Sequence, residues 1–307
     1  MYKSLIDDNI QIHPKISKVA HLTEPNKLQQ ERVTIIIPTK DRVELLRVCI
    51  DSIAVYTTQP HDILIINNNS IEPATIAYLN DLDQEEHITV SNYPYAFNYA
   101  AMHNAVMSQI DTSYICFLNN DIEIRTSKWL QHMIHNFERP HIGAVGCRLY
   151  YPDGSIQHDG IYFNLHATAP YVDHINLKLR DADPLFFHLE DRTYTLGVTG
   201  ACLLTKKSTF IEMNGFDEDR FPVAFNDVDY CLKLLKANKK IVHHKDVNHI
   251  HHESTSRNDK NQKKVSNDER RSFRLLLKKW QPFVKNLDDY PMHNLPPEIL
   301  QSWRPER

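Results

Sequence analysis

Tyr114-Ile115-Cys116-Phe117-Leu118-Asn119-Asn120-Asp121-Ile122-Glu123-Ile124 is an apolar run that stops abruptly at two amides and a carboxylate. Apolar and aromatic residues in unbroken succession, bounded by polar ones, predict a strand buried on both faces, as the central strands of parallel sheets are. In open α/β sheets ligands bind outside the carboxyl ends of the strands, so Asn119, Asn120 and Asp121 are candidates for the wall of a crevice. The same residue types also make ordinary turns, and on this stretch alone the turn is the reading to prefer.

Upstream the plan repeats. Val33 to Ile37 is a buried strand ended by Pro38, and Val43, Leu46, Ile50 and Ile53 follow at helical spacing, which makes Thr39-Lys40-Asp41-Arg42 a strand-to-helix loop. Ile63 to Ile66 ends in Asn67-Asn68-Asn69-Ser70, side chains suited either to capping the next segment or to reading a nucleobase edge. After Ile88 to Val90 a helical stretch puts Phe97, Ala101, Asn104 and Ala105 on one face. Asn104 there reads as a satisfied core amide unless that face fronts the crevice. Strands alternating with helices predict βαβ units and a mostly parallel central sheet flanked by helices.

Downstream, Ser127 is a candidate cap for a helix carrying Trp129, Leu130, Met133, Ile134 and Phe137, an apolar stripe that belongs to the core. Gly143 to Leu149 is a further strand. Tyr150 to Thr195 then loses its periodicity while carrying many His, Asp and aromatic residues, and is assigned to acceptor recognition. In the small-residue stretch Gly197 to Leu204, Gly200 and Ala201 allow a ligand to approach the backbone, although Gly in a strand equally marks a bulge. Val228, Cys231, Leu232 and Leu235 fall on one helical face, which puts Asn226 and Asp227 at a helix N-terminus, where such residues also serve as caps. Ile241-Val242 and Val247 to Ile250 read as short strands, the second leading into His251-His252. Adjacent side chains on a strand point to opposite faces, so only one of these histidines can enter a given site. Ser266 and Glu269 match a capping box, and Phe273, Leu276, Leu277 and Trp280 form the apolar face of a helix that must dock on the body.

The chain has 307 residues, 41% hydrophobic and 24% charged, which is enough to bury a full core. A net charge of -4 argues against wholesale nucleic-acid binding. Thr255 to Lys285 is locally basic, with ten Lys/Arg against three Asp/Glu, a composition that suits phosphates or contact with an anionic membrane surface, or simply a solvated face. Cys49, Cys116, Cys147, Cys202 and Cys231 sit scattered in apolar settings and read as buried thiols in a reducing compartment. No secretory leader is apparent, and no apolar run approaches the ~20 residues needed to span a bilayer. A cytoplasmic protein is therefore expected. With only 7 Gly there is no GxGxxG or GxxxxGK phosphate loop.

Each feature is weak singly, but their order is specific: PTKDR, NNNS and LNND at strand ends, then TGACLL, GFDE, FNDVDYCLKL and HHESTSR. In this order the chain resembles the family-two glycosyltransferases of GT-A fold, most closely their bacterial cell-surface polysaccharide branch, from about Glu31 onward. The resemblance implies inverting transfer of a sugar from a nucleotide-diphosphate donor, a UDP-sugar or dTDP-rhamnose, to a hydroxyl of a glycan or lipid-linked acceptor, at the inner face of the cytoplasmic membrane. Residues 1–30 show no sustained period and hold Pro14 and Pro25, so they read as an irregular arm, and Pro291, Pro296 and Pro297 mark 286–307 as a tail; the resemblance implies a glycosyltransferase domain over 31–285. Within the domain it implies a nucleotide-sugar half over 31–125, an acceptor half over 126–257 and a docking helix over 258–285.

Carried over by position, Pro38, Thr39, Asp41, Arg42, Asn68, Asn104, Asn119, Asn120 and Arg257 are implied to bind the nucleotide sugar. Gly200, Ala201 and Asn226 are implied to meet donor or acceptor sugar. Asp121, with His251 or His252, is implied to hold Mn²⁺ or Mg²⁺, and Asp227 to be the general base. Two positions depart from the family pattern. Asn119 stands at the first place of the DXD element and Asn226 at the glutamate of the ED element, so the metal depends on one carboxylate rather than two. The alternative function is a catalytically weak or inactive sugar-nucleotide-binding module of the same fold.

Overall fold

The computed structural model describes residues 27–164, 171–174, 194–252 and 262–284. The first half alternates as expected: α1 (Lys27–Gln30), β1 (Val33–Thr39), α2 (Val43–Tyr56), β2 (His61–Asn67), α3 (Pro73–Leu82), β3 (Ile88–Asn92), α4 (Tyr99–Ala105) and β4 (Tyr114–Leu118). Then come β5 (Ile122–Ile124), α5 (Trp129–His135), β6 (Ile142–Tyr150), β7 (Ile156–His158), β8 (Ile161–Asn164), β9 (Tyr171–His174) and β10 (Tyr194–Thr195). The remaining elements are β11 (Cys202–Lys206), α6 (Lys207–Glu212), α7 (Asn226–Lys236), β12 (Lys240–His251) and α8 (Gln262–Val284).

The main sheet runs β10-β12-β6-β11-β4-β1-β2-β3. All four strands of the first half, β4 through β3, pair in parallel. Beyond β4 the sheet becomes mixed, because β11 runs antiparallel to both β4 and β6 while β6 and β12 are parallel. β4 lies in the middle, and all five of its residues are buried. Its apolar run has no polar face because helices cover the sheet on both sides. On one side α2, α3 and α5 supply Leu46, Ile53, Leu79 and Trp129 to the core. On the other, α4, α6, α7 and α8 supply Met102, Phe210, Leu232 and Trp280. Each such side chain contributes about 1.5–3 kcal/mol on burial.

Several local expectations are corrected. Ser127 does not cap α5, which starts after Lys128 in a left-handed conformation with no side-chain cap. The two short strands expected over 241–250 are one strand, β12, whose pairing with β6 shifts register between His244 and Asn248. Ser266 and Glu269 do not open the C-terminal helix, since α8 already begins at Gln262. Leu276 and Trp280 are buried, and the Trp280 indole N–H donates to Oδ1 of the fully buried Asp229 at 2.7 Å, which Lys279 also approaches at 2.7 Å. A buried carboxylate is costly unless paired in this way. The five cysteines are free and buried. No helix among the described residues is long and apolar enough to cross a membrane.

Candidate active site

A cavity of about 600 Å³ opens at the carboxyl ends of β1 and β4 and extends under the start of α7, a size suited to a small-molecule ligand. Pro38, Thr39, Arg42 and Asn68 line it from the first two loops. Asn68 is held by its side-chain amide, which donates to the carbonyls of Tyr93 and Tyr95 at 3.0 and 2.8 Å. Asn119, Asn120 and Asp121 line it from the end of β4, and the Asn120 amide donates to the Thr39 hydroxyl at 3.0 Å, joining the two strand ends.

Gly200, Ala201, Asn226 and Asp227 line the cavity from the β11 and α7 side. Asp227 accepts from the backbone N–H of Gly200 at 2.9 Å with one carboxylate oxygen and from that of Val228 at 2.8 Å with the other. A carboxylate oxygen has two acceptor sites, so both oxygens keep capacity for a proton. Phe225, just before α7, has φ of 66°, a left-handed conformation that costs a bulky residue roughly 1–3 kcal/mol. Asn226 is buried and donates to the Val223 carbonyl at 2.7 Å, which helps hold that turn. The absence of a side chain at Gly200 leaves room for the Tyr99 hydroxyl, from which a Cβ would stand only 3.3 Å. The Tyr99 hydroxyl donates to the Gly200 carbonyl at 3.0 Å. Burial first, and then the charge of Asp227 and, more weakly, Asp121, push its phenol well above the ordinary value, so it stays a neutral donor.

Asp121 and His251 meet at the cavity. Nε2 of His251 lies 3.1 Å from Oδ1 of Asp121, yet this buried oxygen has no aligned hydrogen-bond donor. Burial raises the Asp121 carboxyl, but His251 beside it, a backbone hydrogen bond and the more distant His252 outweigh burial and hold it below its usual value. The other ring nitrogen of His251, Nδ1, faces Oε1 of Gln157 at 2.5 Å. An orphaned carboxylate oxygen beside an imidazole nitrogen, on residues lining a cavity, is a donor set that fits a divalent cation such as Mn²⁺.

Three expected site residues lie elsewhere. His252 turns away from the cavity and pairs with Glu123 at 2.9 Å, as strand alternation requires of one member of the pair. Asn104 is consumed by the Gly215 to Glu218 turn: it donates to the Phe216 carbonyl at 2.9 Å and to Glu218 at 2.7 Å, and accepts from the Phe216 N–H at 3.0 Å. Asp41 does not line the cavity; its carboxylate accepts from the N–H groups of Ile71 and Glu72 at 2.7 and 2.9 Å and so ties the first loop to the second. Arg257 lies outside the described residues. Conversely, Tyr99, Gln157, His158 and Glu269 line the cavity without having been singled out as site residues.

A second metal-like grouping exists among the described residues. One donor atom each from Cys147, Cys202 and His249 lie within 4.8 Å of one another, all buried. Nδ1 of His249 accepts from the Arg125 N–H at 3.2 Å, so the ring proton sits on Nε2, which is buried without a partner. A protonated nitrogen is not a ligand, and this grouping reads as core.

The model of glycosyl transferase family 2 matches residues 34–187. The O-antigen biosynthesis protein RfbC of Myxococcus xanthus is 35% identical over 230 residues, covering 74% of this chain and 18% of RfbC. The chain thus spans less than a fifth of that relative. Among solved structures, the mannosyltransferase PcManGT from Pyrobaculum calidifontis in complex with GDP-Man and Mn²⁺ superposes with a TM-score of 0.54 at 14% identity, over 74% of this chain and 58% of that one. GalNAc-T7 with UDP, GalNAc and Mn²⁺ gives a TM-score of 0.59 at 10% identity, over 72% of this chain and 44% of that one. These two likenesses are of fold, and the fold is the GT-A arrangement of a curled mixed sheet between helical layers.

Proposed function

The chain belongs to glycosyl transferase family 2, and from that premise we propose that it transfers a sugar from a nucleotide-diphosphate donor, a UDP-sugar or dTDP-rhamnose, to an acceptor hydroxyl in cell-surface polysaccharide synthesis. The observation that carries the reading is one cavity lined both by a carboxylate at a helix start, Asp227, and by the Asp121–His251 pair at two strand ends.

Asn68, Thr39 and Asn120, at the ends of the parallel strands, hold the nucleotide. Arg42 and Lys40 bring positive charge to the same rim for the diphosphate. Asp121 and His251 would hold Mn²⁺ or Mg²⁺, which when bound neutralises the charge that develops on the leaving diphosphate. The imidazole donor favours Mn²⁺. Asp227 takes the proton from the acceptor hydroxyl as that oxygen attacks the face of the sugar opposite the diphosphate, which inverts the anomeric carbon. The backbone bonds from Gly200 and Val228 hold the carboxylate for this step. Asn226, Gly200 and Ala201 form the surrounding wall against which the sugars pack. The acceptor is a glycan or a lipid-linked glycan presented at the inner face of the cytoplasmic membrane, a reading supported by the basic stretch Thr255 to Lys285.

Asp227→Asn tests the assignment. Transfer is expected to fall by about 10²–10⁴-fold while nucleotide binding, measured by titration calorimetry, is retained. Undiminished turnover would overturn the base role. Slow release of free sugar from the donor by the unaltered chain separates an enzyme from a module that only binds.

A further inference from the structure

Gln157 belongs to β7, which returns antiparallel along β6 and brings the residue to the cavity. It is 6% exposed, and its carbonyl oxygen lies 2.5 Å from Nδ1 of His251. A side-chain carbonyl oxygen only accepts, so Nδ1 must carry a proton. On the opposite side of the ring, Nε2 has the Asn119 side-chain N–H₂ at 3.4 Å and the carboxylate of Asp121 nearer still. Whatever the charge on the ring, Nδ1 keeps its proton, and any exchange of a proton for a cation takes place at Nε2, 3.1 Å from Oδ1 of Asp121.

We propose that Gln157 is a positioning residue that fixes the tautomer and ring orientation of His251 and so makes Nε2 of His251, with Asp121, a cation-binding pair. The inference rests on the reading of Asp121 and His251 as the metal ligands and adds what makes that histidine competent. The surroundings hold Gln157 in place. Asp159, two residues on, is buried and gripped by Arg148 through Nε at 2.9 Å and Nη2 at 3.3 Å, with Nε2 of His243 at 3.1 Å. Between them Nε2 of His158 accepts from the N–H groups of Gly160 and Thr199 at 3.3 and 3.4 Å. The hairpin end that carries Gln157 is therefore pinned on both sides of the chain by buried polar contacts, which breaking would leave unpaired. Partners of this kind on metal-ligating histidines set ring orientation and raise ligand basicity.

The test uses the full chain and Mn²⁺, with free ion followed by electron paramagnetic resonance in the presence and absence of UDP. Gln157→Leu, which removes the acceptor at similar volume, is expected to weaken Mn²⁺ binding about 10- to 100-fold. Gln157→Glu, which keeps an acceptor oxygen toward Nδ1, is expected to retain it. His251→Ala serves as the reference for loss. Binding by Gln157→Leu equal to that of the unaltered chain, with His251→Ala deficient, overturns the role of Gln157 and leaves the metal reading standing. Undiminished binding by both His251→Ala and Asp121→Ala overturns the metal reading instead. If Gln157→Leu does not fold, nitrogen-15 spectra of the metal-free unaltered chain decide, with the His251 signals identified by their loss in His251→Ala. A protonated-type Nδ1 supports the proposal, and a protonated-type Nε2 with an unprotonated Nδ1 overturns it.

Discussion

His249 and His251 stand two residues apart on β12, on the same face of the strand, and both are buried. Around His249 the strand is dry: the ring packs edge-on against Trp129 at 5.3 Å between ring centres, beside Cys147 and Cys202. Around His251 the strand reaches the cavity, and the neighbours are Asp121, Asn119 and Gln157. The decisive difference lies at Nδ1. In His249 it accepts from a backbone N–H, which leaves the proton on Nε2, whereas in His251 it faces a carbonyl oxygen, which leaves Nε2 free to bind. Burial and nearby ligand-type residues are thus common to both regions, and the partner of the far nitrogen separates a core histidine from a candidate ligand.

The most forceful way to break this contrast is to truncate each histidine. His251→Ala is expected to reduce Mn²⁺-dependent nucleotide binding by more than about 100-fold, because losing a mere supporting partner already costs about 10- to 100-fold, with a modest change in stability. His249→Ala is expected to do the reverse. Loss of a buried ring and of the acceptor for the Arg125 N–H lowers stability by roughly 3–5 kcal/mol, while the folded fraction binds Mn²⁺ as before. Urea denaturation and calorimetry on the two variants decide, and matching phenotypes would erase the distinction.

Acid separates the two regions by a smaller amount. Burial lowers the pKa of His249 to about 4, and that of His103, enclosed by Tyr99 and Phe117, likewise to about 4. The unfolded chain takes up these protons near pH 6.5 and the folded chain only near pH 4. Stability from each neutral ring is therefore complete above about pH 6.5, declines as pH falls, and has lost on the order of 3 kcal/mol by about pH 4. Asp121, whose carboxyl is held below its usual value, contributes stability that is intact above the ordinary carboxylate range and is lost only as pH falls through its own lower pKa. Urea midpoints measured from pH 7 to 4 should decline, with a shallower decline in His249→Leu. An unchanged slope in that variant would show that His249 does not titrate as its burial implies.

The contrast also marks what the sequence makes legible. β4 is readable because a strand covered on both faces needs an unbroken apolar run, and its end therefore points to Asn119–Asp121. Asp227 is readable because the periodicity of Val228, Cys231 and Leu232 fixes where α7 begins. Alternation says that only one of His251 and His252 can reach the cavity, but which one depends on the pairing of β12 with β5 and β6, strands far away along the chain. Asn104 misleads because helical periodicity does not say which layer a face meets, and here the face meets the Gly215–Glu218 turn. Gln157 is hidden because a hairpin return inside an aperiodic stretch brings it in, and Glu269 because a local capping pattern competes with a helix that starts earlier.

The smallest effect expected is at the thiols, and it sharpens the contrast most directly. Cobalt is a spectroscopic stand-in for Mn²⁺ or Zn²⁺, and thiolate ligation to it produces intense sulfur-to-metal absorption in the near ultraviolet. For such a complex to form at Cys147, Cys202 and His249, the ring proton would have to leave Nε2 and move to Nδ1, which would break the bond from the Arg125 N–H. The Cys147 thiol would have to ionise as well, although burial holds it well above its ordinary value, and its ionisation would remove one of the two thiol hydrogen bonds that draw the Cys202 sulfur well below its own. The first of these costs does not arise at His251, where Gln157 faces Nδ1 and leaves Nε2 toward Asp121. Co²⁺ added to the folded chain should therefore bind at the cavity through oxygen and nitrogen alone. Its spectrum should lack the sulfur band and should be the same in Cys202→Ser. An intense near-ultraviolet band abolished by Cys202→Ser would mean that the dry histidine is a ligand too, and that the partner at Nδ1 does not by itself decide which of the two binds.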